Sequence, residues 1–98
     1  YKASLQYPKV LRDIAFVVEE RCEYAQMIDR IRSFHSWIMD AILFDVYRGG
    51  NLGKGRKSIA LHLEYGSPER TLTAEEADRV HRSLGEMLKK EFGAAIRE

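Results

Sequence analysis

From Arg12 to Glu19 the chain alternates, with Ile14, Phe16 and Val18 on one side and Asp13, Ala15 and Val17 on the other, which is the two-residue period of a strand. The period then changes. Between Glu23 and Phe34 the apolar residues Tyr24, Met27, Ile28, Ile31 and Phe34 recur at helical spacing, while Asp29, Arg30 and Arg32 fill the opposite face. Met39 to Arg48 returns to strand formers without Gly or Pro, and plain alternation puts Ile42, Phe44 and Val46 on one face and Leu43, Asp45 and Tyr47 on the other. Gly49, Gly50, Gly53 and Gly55 crowd the next stretch and predict a hairpin-type loop. Lys57 to Tyr65 alternates again, Ile59, Leu61, Leu63 and Tyr65 inward and Ser58, Ala60, His62 and Glu64 outward, as a third strand antiparallel to the second. After the break at Gly66, Ser67 and Pro68, Thr73 with Glu76 is a capping box. It opens a helix in which Ala77, Val80, Leu84, Met87 and Leu88 share a face and which Gly93 is placed to end. Ala94 to Arg97 fit a short closing strand.

The order strand, helix, strand, strand, helix, strand predicts an α+β fold on the ferredoxin-like βαββαβ plan. Its four-stranded antiparallel sheet carries both helices on one face and leaves the other open to a ligand. Residues 1–9 read as a linker and residues 10–98 as the domain. That plan hosts RNA binders, metal carriers, regulatory domains and small hydrolases, so the side chains have to decide among them.

Composition narrows the choice. At 98 residues there is material for a single core, and 16 basic against 15 acidic residues leave a net charge of +1, which excludes a histone-like polycation. Any pull on a polyanion must come from how charge is arranged. The lone Cys22 makes no internal disulfide, and no stretch resembles a membrane span or a secretory signal, so a soluble, cytoplasmic domain without a membrane partner is expected. The first residue is Tyr rather than Met, which suggests a piece of a longer gene product.

With the inward set as above, the open face shows Asp13, Ala15 and Val17, then Leu43, Asp45 and Tyr47, then Ser58, Ala60 and His62. A ring, a carboxylate, a hydroxyl and small residues suit one or two unstacked nucleobases lying on the sheet. Tyr47 could stack a base, Asp45 could accept from the amino and imino groups of a guanine edge, and Ser58 could bond to base or ribose. Alternatively, and favoured by composition alone, Tyr47 caps the sheet by cross-strand packing while Asp45 pairs with Arg48 or Arg12. Arg48, Lys54, Arg56 and Lys57 lie beside this face with no acid among residues 46–63, a local positive patch to which phosphates would be drawn. The same cations also suit a solvated loop that guards strand ends against edge pairing. The glycines match neither a P-loop nor a dinucleotide fingerprint, because they open no helix. His35, His62 and His81 fall in different elements, so no metal-site spacing exists, and no Ser, His and Asp triad can be assembled.

In order along the chain stand Tyr7-Pro8, Arg12-Asp13-Ile14-Ala15-Phe16-Val17-Val18, Leu43-Phe44-Asp45-Val46-Tyr47-Arg48-Gly49, Gly55-Arg56-Lys57-Ser58-Ile59-Ala60, Arg70-Thr71-Leu72-Thr73 and Phe92-Gly93-Ala94 with Arg97. Together these blocks resemble the ferredoxin-fold anticodon-binding domain that closes the beta subunit of bacterial phenylalanyl-tRNA synthetase. The resemblance covers nearly the whole chain. It implies a non-catalytic domain that grips the anticodon stem-loop of phenylalanine tRNA while aminoacylation proceeds in a separate alpha subunit. It also implies Tyr47 as the stacking platform for the first anticodon base, Asp45 as that base's hydrogen-bond partner and Ser58 as a further contact; the positive patch of Arg48, Lys54, Arg56 and Lys57 and the open-face Ala60 complete the expected tRNA-binding set. No cofactor is implied for the domain; ATP and Mg belong to the parent enzyme, whose alpha subunit and remaining beta subunit would be its protein partners. Arg70 to Thr73 read as a turn and a helix cap.

Two rivals share the fold. An acylphosphatase-like enzyme needs an anion-cradling loop with an Arg and a water-positioning Asn, and although Arg12 and Asn51 are present, the glycines sit in the wrong connection. The other is a small-molecule regulatory domain, which a tRNA titration separates by its steep salt dependence.

Overall fold

A computed structural model describes residues 7–49, 52–53 and 55–97 of the chain. Its elements are β1 (Val10–Glu19), α1 (Tyr24–Arg32), β2 (Ile38–Tyr47), β3 (Arg56–Tyr65), α2 (Ala74–Phe92) and β4 (Ala95–Arg97). One four-stranded sheet runs in the order β2-β3-β1-β4. Every neighbouring pair is antiparallel, as the ferredoxin-like plan requires.

The alternation seen in the sequence sets the two faces of the central strands. Phe16 and Val18 of β1 and Ile59, Leu61, Leu63 and Tyr65 of β3 are fully buried against Met27 and Ile31 of α1 and Leu84 and Leu88 of α2. Slipping either central strand by one residue would carry this whole set into solvent, so the pairing of Phe16 with Ile59 and Ile14 with Leu61 is strongly fixed.

The helices end where local chemistry ends them. At Thr73 the side chain accepts from the Glu76 amide at 3.1 Å while the Glu76 carboxylate accepts from the Thr73 amide at 3.0 Å, which satisfies two orphan donors of α2. Gly93 adopts φ 66°, a left-handed turn that costs a residue with a Cβ more, and lets the Gly93 and Ala94 amides reach Lys89 and Leu88 carbonyls. α1 is shorter than its periodicity predicts. It ends at Arg32, with the Ser33 amide closing the last helical bond to the Asp29 carbonyl, and Phe34 packs against the core from the turn beyond. Thr73→Ala should lower stability by about 1 kcal/mol. Urea unfolding would show this as a lower midpoint at unchanged m value.

On β2 plain alternation fails. Leu43 lies opposite Leu61 and Asp45 opposite Ala60, so Phe44 is an extra residue, a β-bulge. The bulge exchanges the faces along the strand. Ile42, opposite His62, joins the open face, and Phe44 stacks on the His62 ring, whereas Leu43 turns toward the helix side with Val46. The expectation that Leu43 lies on the open face and Ile42 and Phe44 beneath it is therefore reversed, while Asp45 and Tyr47 keep the face predicted for them.

Candidate functional site

The open face is built in rows set by register. Asp13, His62 and Ile42 form one row; Ala15, Ala60 and Asp45 the next, with Arg97 of β4 beside Ala15; Val17, Ser58 and Tyr47 the third. Ala15 and Ala60 make a low floor in the middle row. Asp45 and Tyr47 stand exposed at its β2 side. The Tyr47 phenol lies over Gly49, where a Cβ would collide with it, so the glycine permits this close approach.

Neither arginine that could have neutralised Asp45 does so. Arg48 donates to both carboxylate oxygens of Glu20, at 2.7 and 2.9 Å, and Arg12 donates to Asp78 of α2 at 2.7 Å. Among the described residues nothing donates to the Asp45 carboxylate or pairs with it, so both its oxygens face solvent as acceptors. Arg12 thus braces the sheet against α2. It is engaged on the helix side, which removes it from any anion-cradling loop.

Among the described residues of the cationic patch expected around the hairpin, Arg48 and Lys57 are turned away from the open face and Arg56 is not. By alternation from Val46 and Ile59, Arg48 and Lys57 belong to the helix side. Lys57 is buried, with Nζ donating to the Glu20 carbonyl at 3.2 Å and lying 3.6 Å from its carboxylate. The acid that pairs with both, Glu20, comes from the turn after β1, outside the 46–63 stretch that holds no acid, and offsets one of their two charges. Hydrogen bonds from Arg48, and then its charge and that of Lys57, hold the Glu20 carboxyl below its ordinary range. Lys54 lies outside the described residues. Arg56 continues the open-face register beyond Ser58, exposed and opposite Glu19.

Ser58 is on the predicted face but is only 5% exposed, and its hydroxyl accepts from Arg97 Nη1 at 3.2 Å. A ligand would therefore meet Arg97 before it met the hydroxyl. Arg97 was not among the candidates read from the sequence, because a three-residue strand offers too little periodicity to assign its faces.

A second group missed by spacing occupies the first row. His62 Nδ1 sits 2.6 Å from Asp13 Oδ1, and the Phe44 ring stacks on the imidazole at a centroid distance of 3.9 Å and 12° between planes. Behind it, His81 Nε2 donates to the Asp13 carbonyl at 3.2 Å, so His81 Nδ1 is the acceptor for the Tyr65 hydroxyl at 2.7 Å. Burial pushes the His81 pKa down and that of Tyr65 up. Because the folded state favours neutral His81, its contribution to stability is complete above the ordinary value of 6.5 and is lost as pH falls below it. The unfolding midpoint of the native chain should therefore drop on mild acidification more than that of His81→Gln. Parallel drops would contradict the assignment.

Comparison with known proteins bears on this face. The sequence model of the ferredoxin-fold anticodon binding domain matches residues 6–97. The chain is 42% identical over 98 residues to the phenylalanine–tRNA ligase beta subunit of Geobacillus kaustophilus, a match that covers 99% of the chain and 12% of that relative. It is 40% identical over 97 residues to the beta subunit of Anaeromyxobacter dehalogenans and 35% identical over 98 residues to that of Bacillus subtilis, again covering 99% of the chain and 12% of each relative. The chain thus spans about an eighth of the length of these curated relatives.

Proposed function

The chain belongs to the ferredoxin-fold anticodon-binding domain family, and from that premise we propose that it binds the anticodon stem-loop of phenylalanine tRNA on its open sheet face. There it would hold the tRNA for aminoacylation in the alpha subunit of a parent phenylalanine–tRNA ligase. ATP and Mg would serve that parent reaction, in the cytoplasm, and the rest of the beta subunit would be the domain's covalent neighbour. The domain itself contributes binding and no catalytic group.

The observation that carries this reading is the exposed Asp45 carboxylate, which no cation holds among the described residues, next to the exposed Tyr47 ring and beside a floor of small residues. A carboxylate so placed repels phosphates, so it is poorly explained as part of a general polyanion surface. It suits the paired N–H donors on the Watson–Crick edge of a guanine, which two acceptor oxygens can satisfy together. Tyr47 supplies the aromatic face on which an unstacked base is held. Arg97 and Arg56 add positive charge at the margins of this face. Glu20 pairs with both Arg48 and Lys57 and offsets one of their two charges on the helix side, so among the described residues Arg97 and Arg56 are the cations of the open face, and base contacts must supply the specificity.

Mapping backbone amide shifts of the isotope-labelled chain during titration with the anticodon stem-loop tests the location. The expected result is a perturbed surface centred on Asp45, Tyr47, Ala60 and Arg97. Perturbations confined to α1 and α2 would place the RNA on the wrong face for this reading.

A further inference from the structure

The Phe44, His62 and Asp13 group has no part in the site as assigned so far, yet its features are those of a second recognition point. The bulge brings Phe44 onto the open face, although the sequence alternation would bury it. There it leaves half its surface exposed, as does the His62 side chain stacked with it. Two half-exposed rings already parallel to one another form a platform that a further flat ring can extend at little cost in ordering. His62 is also oriented. The Asp13 carboxylate can only accept, so Nδ1 carries the proton shared between them, and in neutral imidazole Nε2 is left as an acceptor.

His62 and Ser58 share a face of β3 and are separated by about 13 Å at the usual strand rise. Tyr47 is level with Ser58, so the Phe44 and His62 rings lie too far along the sheet to hold the same base as Tyr47. The row of Ala15, Ala60 and Asp45 lies between them. One end of the face thus has an aromatic platform beside an acid, and the other has an aromatic platform beside an imidazole acceptor.

We infer that the stacked Phe44 and His62 rings form a second nucleobase subsite, which holds a different base of the same loop from the one on Tyr47. The base stacks on the ring pair, and its exocyclic amino group or ribose hydroxyl donates to His62 Nε2. Asp13 is a positioning residue that fixes the imidazole tautomer. This inference rests on the open face being the RNA-binding surface.

The test is a coupling experiment with the 98-residue chain and a set of anticodon stem-loops, each with one loop base replaced by an abasic sugar. Phe44→Ala and His62→Ala should each weaken binding to the intact loop on the order of tenfold, the size of a lost base stack. For one abasic loop that loss should vanish, and this loop should differ from the one that abolishes the effect of Tyr47→Ala. Phe44→Tyr, which keeps the ring, should retain affinity. Both positions are half exposed, so an unchanged amide spectrum elsewhere can establish that the variants fold. The inference is overturned if Tyr47→Ala weakens binding while Phe44→Ala and His62→Ala do not, or if all three couple to the same base. If wild-type chain fails to bind any loop, or Tyr47→Ala is also without effect, the open-face reading itself falls, and the second subsite falls with it.

Discussion

Replacing Tyr47 with alanine is expected to weaken binding of the phenylalanine anticodon stem-loop by about 1–3 kcal/mol, the range for loss of one base stacked on an aromatic side chain. The argument is local. Tyr47 ends β2, its ring is exposed, and its position over Gly49 is one that a residue with a Cβ would disturb. Its fold role is small, because Tyr47 belongs to the open face and not to the buried cluster beneath the helices. Asp45→Ala should act differently. It removes an acceptor without removing a platform, so its main effect should be on discrimination between loops. Fluorescence titrations of both variants at one fixed salt concentration would check this, since phosphate attraction changes steeply with salt. Unchanged affinity in Tyr47→Ala would refute the stacking role.

The largest expected effect on stability lies at Phe16. It is completely buried in a central strand, paired with Ile59 on one side and Ile96 on the other, within the core cluster to which both helices contribute. Phe16→Ala removes a ring that the surrounding strands cannot close over, and such changes cost about 3–5 kcal/mol. A domain of this size has a total of only about 5–15 kcal/mol, so the variant is expected to sit close to unfolding. Calorimetry should show Tm lower by more than about 10 °C. A shift below about 4 °C would mean that the site relaxes or that the core is not centred there.

The two largest effects fall on opposite faces of one sheet, and the sequence exposes those faces unequally. β1 and β3 alternate without interruption, and Ile14, Phe16, Ile59 and Leu61 fall where a two-residue period puts them. The cap at Thr73 and the stop at Gly93 are local devices with local signals, so they too are legible. β2 is not. Nothing in Ile42-Leu43-Phe44-Asp45 marks an inserted residue, since each is a tolerable strand residue on either face of an edge strand, and the bulge is visible only once β3 supplies the partner register.

The candidate site divides along the same line. Asp45, Tyr47 and Ala60 sit on the face predicted for them because the bulge precedes Asp45 and the alternation resumes after it. Contacts between residues distant in sequence were hidden. Glu20 lies 28 residues before the Arg48 it binds, and Asp13 lies 49 residues before His62. A count of charges within the hairpin could not reveal that Arg48 and Lys57 were already engaged. Arg97 was obscured for another reason: its strand is fixed by pairing with β1 rather than by any pattern of its own.

The most direct test compares the 98-residue chain, at low salt, with the phenylalanine anticodon stem-loop and with a loop of the same stem whose anticodon bases are changed. Tighter binding to the cognate loop, with the difference abolished in Tyr47→Ala, is the predicted result. Equal affinity for both loops, falling together as salt is raised, would contradict base recognition on the open sheet.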